Sequence, residues 1–319
     1  MANCSAVREW DSNGTVFGYA NEENRKAGEF GHNDFYPVVI AASHINSKID
    51  GSTALKAMVL QDEIRGRLCE VFSLKSYKID HVVHGAIASI CTYGALVGAR
   101  PEDIEHAIGM LVAHYIPWRA IRAGKQLSDS KGASAAITTE AAIMCMKRAM
   151  RGFVGPKDIF RNPEAIFRYF EKTNGDSPFD ITLSSEGDDF AVVGMHFKLG
   201  LYEHQSAGAL EGLQKIIYES KLASQYSIDD VENIKILAYE PAFGIIGDPA
   251  KKTPSTRQSA DHSMVYIIST ILRKAFETKN LNQKLESYKK LDEVWKLLML
   301  EPKDYGHSAL FNKKTRNLM

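Results

Sequence analysis

Apolar residues recur at intervals of three and four through most of the first 150 positions, the period of helices with one face on a core. From Pro37 to Ile49, Val38, Val39, Ala41, Ala42 and Ile45 fall on one side. Gly51 opens a long helix in which Leu55, Met58, Val59, Ile64, Leu68 and Val71 keep the spacing. Its Glu63, Arg65 and Arg67 are expected on the solvated face. Asp80 can cap a helix running from His81 to Gly98. There Gly85, Ala86, Ala88, Ser89, Cys91, Gly94 and Ala95 leave almost every side small. Small side chains let helices approach closely, so this helix is expected at the centre. Pro101 starts the next, with Glu102 and Asp103 in the first turn where the helix dipole favours acids. Ile104, Ile108, Leu111 and Val112 continue it. A second small-residue helix runs from Gly132 to Met150, and no internal repeat is present.

The pattern changes at Asn174, Gly175, Asp176, Ser177 and Pro178, which are turn residues and mark a boundary. Short β-branched or alternating runs at Ile181 to Ser184, Phe190 to Phe197 and Asn233 to Tyr239 predict strands. Helices are expected near Ser206 to Ser220, Ser259 to Phe276 and Leu285 to Leu300. The expected fold is mainly α: an all-helical domain over residues 1–180 and a smaller α+β domain over 181–319.

The first forty residues hold the densest candidate chemistry. Asp11 and Thr15 are four apart and would share a face on a helical turn. Tyr19 to Gly28 is polar and aperiodic and reads as a loop, closed by Gly28 and Gly31 around His32. Asp34 is placed to cap a helix starting near Tyr36 and Pro37. Spacing alone leaves two readings open, a polar loop with two caps or a functional loop held by rigid helices.

Composition narrows the function classes. The chain has 319 residues, 45% hydrophobic and 24% charged, ordinary for a globular enzyme. Lys plus Arg equals Asp plus Glu at 39 each, so no global field points to nucleic acid or a membrane. Cys4, Cys69, Cys91 and Cys145 are far apart, which argues against a zinc site or disulfide framework and for a reducing compartment. No apolar run is long enough to span a bilayer, and no signal or transit pattern is visible. The expected location is cytoplasm or mitochondrial matrix. Both ends read as cut, since Met1 enters the middle of a helical pattern and Met319 follows no cap.

Several cationic and imidazole groups lie near element ends or in glycine-bearing loops: His32, His81, His84, Lys125, Lys131, Lys198, His204, Arg257, His262, with Tyr266 beside them. Arg122, Lys125 and Lys131 share one loop that ends at a helix start, an arrangement suited to anions, although a lone basic loop is more often simply solvated. His81 and His84 read equally as one cap and one core histidine. No HExxH, GxSxG, P-loop or GxGxxG occurs. The residues alone describe a cationic pocket with His, Asp and Tyr, suited to an anionic small molecule.

Five stretches carry a resemblance: Trp10 to Thr15, Gly31 to Asp34, Ile79 to Val82, Gly124 to Ala135, and Asp261 to Tyr266. In this order they resemble the 2-methylcitrate dehydratase family of the MmgE/PrpD superfamily, which also contains cis-aconitate decarboxylases. The resemblance covers nearly the whole chain. It implies a large helical domain with a smaller α+β lid and a site in the cleft between them, in a protein longer at both ends. Position by position it implies catalytic roles for Asp11, Thr15, His32, His81 and Tyr266. The histidine register is open between His81 and His84, and the lysine register between Lys125 and Lys131. Substrate-binding roles fall to Lys125, Lys131, Arg122, Lys198, His204, Arg257 and His262, with the spacing around Lys198 and His204 departing from the family pattern.

The implied reaction suits these groups. Dehydrating 2-methylcitrate removes a proton next to a carboxylate and expels a hydroxyl, work for histidines near neutral pKa. Three substrate carboxylates call for Lys, Arg and N–H donors. No cysteine cluster is available for an iron–sulfur centre, so no cofactor or metal is expected. The expected partner is a tricarboxylate substrate, with a homodimer in the full-length form. Rival readings are a cis-aconitate decarboxylase and a non-catalytic helical interaction module.

Overall fold

The computed structural model describes residues 1–9, 14–15, 19–20, 25–26, 33–71, 74–122, 126–165, 167 and 181–319. The chain forms two compact units, and the division is not a single cut. The first comprises Met1–Glu9, Asn13–Arg122 and Gly132–Phe197; the second comprises Trp10–Ser12, Ala123–Lys131 and Lys198–Met319. The boundary expected at residues 174–178 lies outside the described residues.

The first unit is a helical bundle of α1 (Ala2–Glu9), α2 (Pro37–Ile45), α3 (Gly51–Val71), α4 (Val82–Leu96), α5 (Pro101–His114) and α7 (Ser134–Ala149), whereas the short α6 (Asp129–Gly132) that precedes α7 lies in the second unit except for its last residue. As the small-residue pattern predicts, α4 is central: it packs against α2, α3, α5 and α7 and buries Val82 through Ile90. Gly85 is required there, because a Cβ would lie 2.1 Å from the Phe35 ring. The core between these helices is built from Ile64, Leu68, Ile87, Ile90, Leu111 and Met146, among others. No described helix is long and apolar enough to cross a membrane.

Four sequence expectations change in this unit. Thr15 is not on a helical turn: Gly14–Thr15 (β1) pairs antiparallel with His196–Phe197 (β4). Within the stretch read as a loop, Tyr19–Ala20 (β2) pairs with Arg25–Lys26 (β3), since backbone pairing does not need an apolar period. Asp34 does not cap α2, whose N-cap Tyr36 has no side-chain cap bond. Asp34 sits in the turn Asn33–Phe35, fully buried, with Arg8 Nε 3.6 Å away.

The fourth change concerns α3, whose expected solvated face is buried. Glu63 accepts from Arg67 Nε at 2.8 Å, from the Ser184 backbone N–H at 2.8 Å and from the Ala191 N–H at 2.6 Å. These bonds hold residues 181–191 against α3 and explain why the predicted strands there do not form. Ile181 to Ser184 is irregular, and Phe190 to Phe197 becomes the 3-10 turn Ala191–Gly194 followed by β4. Arg65 lies under Phe35, its guanidinium 4.7 Å from the ring centroid, and faces Asp62 at 3.5 Å. The Tyr36 hydroxyl donates to Asp62. Burial pushes the Asp62 carboxyl and the Tyr36 hydroxyl up and the Arg65 guanidinium down.

The second unit is also helical, and among the described residues it contains no strand. Its helices are α8 (Ala207–Ser220), α9 (Leu222–Gln225), α10 (Glu240–Ile245), α11 (Arg257–Ala260), α12 (Met264–Glu277), α13 (Leu281–Ser287), α14 (Leu291–Leu298), α15 (His307–Leu310) and α16 (Lys313–Leu318). Asn233 to Tyr239, the third stretch expected as a strand, is not one. Its alternation survives as packing, with Ile234 and Ile236 against the core and Leu237 86% exposed, but it runs without ladder bonds. The predicted helix Ser259 to Phe276 is two helices, α11 and α12, broken at Asp261–Ser263. Ser263 caps α12 by accepting from the Tyr266 N–H at 3.3 Å. The core gathers Met264, Ile267, Ile271, Ala275, Leu285 and Leu298.

Candidate functional site

In the first unit the candidate groups meet around Asp80. Backbone bonds from Asp80 to the Pro117 carbonyl (3.0 Å) and from Arg119 to the Lys78 carbonyl (2.7 Å) clamp residues 78–80 to 117–119. That clamp presents Arg122 to Asp80: Nε donates to Oδ2, and Nη2 donates to Oδ1 at 3.1 Å. Asp80 Oδ1 also accepts from the Val82 N–H at 3.3 Å, although the N-cap of α4 is His81 rather than the predicted Asp80, and lies 3.9 Å from His81 Nδ1. Burial raises the Asp80 carboxyl, but the charges of Arg122, His81 and Arg119 outweigh it and hold the carboxyl well below the usual range. The arrangement keeps a charged acid 3.9 Å from His81 Nδ1, a distance that one rotation of the imidazole could close to a hydrogen bond. His84, the competing register, is buried in α4.

In the second unit the groups meet around Asp261 and His262. The segment after Lys125 is stitched to residues 253–259. The Leu127 N–H donates to Ser259 Oγ at 2.8 Å, the Ser255 N–H to Gln126 Oε1 at 2.9 Å, and Gln258 Nε2 to Asp129 Oδ1 at 3.3 Å. This brings Lys131 Nζ to 3.4 Å from His262 Nδ1. Lys131 is 2% exposed although its residue type is strongly hydrated, so it is built in rather than left at the surface. His262 Nδ1 bonds the Asp261 carboxylate, and Arg257 Nη1 faces the other carboxylate oxygen at 3.6 Å. The Glu203 N–H donates to the Asp261 carbonyl at 3.0 Å, and the Glu203 carboxylate pairs with His204 Nδ1 at 2.8 Å. Lys131, Arg257, His262 and His204 are thereby brought into one polar cluster.

The other candidates stand apart from these clusters. Lys198 Nζ donates to the Tyr202 carbonyl and lies 5.4 Å from that tyrosine's ring centroid. Tyr266 is fully buried in α12 and its hydroxyl donates to the Asp304 carbonyl. Burial pushes that hydroxyl up to about 12, so it is a neutral donor at physiological pH. A role at a substrate requires it to exchange the Asp304 carbonyl for a new acceptor. Asp11, His32 and Lys125 lie outside the described residues, and of Thr15 the backbone pairing alone is described. Among the described residues no group of His, Cys, Asp and Glu could hold a metal ion.

Two acids stand at the centre of these clusters without having been among the candidates from sequence. Asp80 was read only as a cap and Asp261 only as part of a motif. The signal was present in both cases, a carboxylate immediately before a histidine, but adjacency in sequence does not say that the two side chains turn toward each other.

The known proteins that this chain resembles agree with one another. Residues 26–177 match the MmgE/PrpD N-terminal domain. The chain is also similar to the cis-aconitate decarboxylase-like protein oryM of Aspergillus oryzae, 22% identical over 304 residues. That alignment takes in 87% of this chain and 59% of the relative, so the chain spans well under two thirds of the curated protein's length. The domain match over residues 26–177, the similarity to the decarboxylase-like relative and a mainly helical fold together support membership of the MmgE/PrpD superfamily.

Proposed function

We propose that the chain is a lyase acting on a tricarboxylate, eliminating water from 2-methylcitrate to give 2-methyl-cis-aconitate, a step of propionate catabolism through the methylcitrate cycle. The observation that carries this reading is the match of residues 26–177 to the MmgE/PrpD N-terminal domain, joined to the motif resemblance to 2-methylcitrate dehydratases. The buried Lys131–His262–Asp261–Arg257 cluster supports it, because it sets cations and an imidazole together inside the fold. In this reading Lys125, Lys131, Arg122, Lys198, His204, Arg257 and His262 bind carboxylates. Asp11, Thr15, His32, His81 and Tyr266 orient the substrate and move protons. A proton leaves the carbon beside a carboxylate, the C–H electron pair forms the alkene, and the hydroxyl departs protonated as water. The chemistry is acid–base, without cofactor or metal, and the full-length protein acts as a homodimer. Gel filtration giving only a monomer would remove that last part.

A second reading, decarboxylation of cis-aconitate, is favoured by the similarity to the decarboxylase-like relative. Product analysis separates the two. Incubation with 2-methylcitrate, citrate and cis-aconitate is expected to yield 2-methyl-cis-aconitate, with activity unchanged after dialysis against EDTA. Itaconate and CO2 from cis-aconitate would establish the second reading instead. Loss of activity on dialysis, restored by one divalent ion, would overturn the metal-free mechanism.

A further inference from the structure

Residues 261–263 form a rigid corner between α11 and α12. The Asp261 N–H donates to the Arg257 carbonyl at 3.2 Å, the His262 N–H to Ser259 at 3.3 Å and the Ser263 N–H to Ala260 at 3.1 Å. The Met264 N–H reaches the Ile246 carbonyl at 3.0 Å, and Ser263 Oγ donates to the Lys251 carbonyl at 2.7 Å. Asp261 is 1% exposed, His262 7% and Ser263 0%. A corner tied to three other segments does not need a carboxylate–imidazole pair to hold it. The same two residues nevertheless place a buried carboxylate on Nδ1 of a buried imidazole.

We propose that Asp261 is a positioning residue that holds His262 in the tautomer with its proton on Nδ1, so that Nε2 is the nitrogen that accepts and returns the proton during the reaction. The claim rests on the lyase reading above and gives His262 a part beyond carboxylate binding. The chemistry follows from the bond. An ionised carboxylate only accepts, so the nitrogen facing it carries hydrogen, and the other nitrogen keeps the lone pair. Lys131 Nζ, 3.4 Å from the same Nδ1, is a donor that would need the lone pair on that nitrogen, so it competes with Asp261 for the tautomer; the bond to the ionised carboxylate is the stronger of the two and keeps the hydrogen on Nδ1. Arg257 at 3.6 Å from the second carboxylate oxygen favours the ionised acid. The remaining charges tied to the corner are Glu203, His204 and Lys251. In the elimination the proton leaves carbon for Nε2 and the C–H electron pair forms the double bond. The imidazolium, offset by Asp261, then returns that proton to the departing hydroxyl, so water leaves and the imidazole is restored.

The test is two-dimensional NMR of the full chain with nitrogen-15 in its histidines, the His262 signals assigned from H262Q. Near neutral pH the wild-type ring is expected to be neutral with hydrogen on Nδ1. In D261N, folded by circular dichroism, that tautomer preference should be lost and the ring should titrate at lower pH. With the substrate that the protein turns over, kcat in D261N should fall about 100-fold or more, with KM changed little. The acidic limb of kcat/KM should move to lower pH. A wild-type ring with hydrogen on Nε2, or doubly protonated across the range, overturns the proposal even if D261N does not fold. So does a folded D261N whose His262 keeps its tautomer and titration. Failure of the wild type to convert any tricarboxylate overturns the lyase reading but leaves the tautomer measurement standing, so the two failures are distinguishable.

Discussion

Two buried carboxylates show how single residues decide this fold. Glu63 is 1% exposed and accepts from Arg67 and from the backbone N–H groups of Ser184 and Ala191. Hydrogen bonds to a charged group are the stronger kind, and losing one partner strands the others. Glu63→Ala should therefore destabilise by about 2–4 kcal/mol, read as a lower denaturant midpoint. An unchanged midpoint would mean that the three donors find other acceptors. Asp80 gives a pH signature. Its folded-state pKa lies below the ordinary carboxylate value, so its charge stabilises the native state above that ordinary value. The contribution is lost as pH falls from there through the folded-state pKa. Asp80→Asn should cost about 3–5 kcal/mol near neutrality, the range for breaking a buried pair, and the difference from wild type should shrink in acid. A difference that stays constant down into strong acid would show that Asp80 is not ionised in the fold.

At the scale of elements, the close approach of α4 to the turn Asn33–Phe35 is an exacting contact. A Cβ on Gly85 would stand 2.1 Å from the Phe35 ring, and that ring is backed by Arg65. Alanine favours a helix over glycine by about 1 kcal/mol, but overpacking costs about 1–3 kcal/mol. Gly85→Ala should thus lower the melting temperature, and a higher one would mean that the turn shifts freely. This helix was legible in sequence because its small residues fall on every side, a pattern that only a central position explains. The helix α7 was legible for the same reason, and α3 and α5 were legible from the spacing of their apolar positions. The segments 181–191 and 233–239 were not. Their alternation records which side chains face the core, whereas a strand also needs a neighbour's backbone. In the first segment a side chain, Glu63, takes those bonds. The charged face of α3 misled for a related reason: charge marks a solvated surface only when no other segment folds over it. At the candidate site, residue types and motif order were visible, while the turning of Asp80 toward Arg122 and of Asp261 toward His262 was not.

For the molecule as a whole, two helical units each gather cations, an acid and the histidine next to it in sequence: Asp80 and His81, 3.9 Å apart, in one, and the hydrogen-bonded Asp261 and His262 in the other. The chain's balanced charge of 39 basic and 39 acidic residues leaves no long-range field, so under the proposed lyase reading any attraction for an anionic substrate has to come from local groups such as these. A lysine 2% exposed is costly to bury unless its charge is paired and hydrogen-bonded, and Lys131 lies 3.4 Å from an imidazole that itself bonds a buried carboxylate. The lyase reading is tested most directly by adding 2-methylcitrate to the purified chain and following the ultraviolet absorbance of the conjugated alkene. The same assay is run on folded Lys131→Ala and His81→Ala proteins. The account predicts a steady rise for the wild type, a rate lowered by about 10²–10⁴ for His81→Ala, and weakened substrate binding of about 1–3 kcal/mol for Lys131→Ala. No rise from folded wild-type protein, or equal rises from all three, would contradict it.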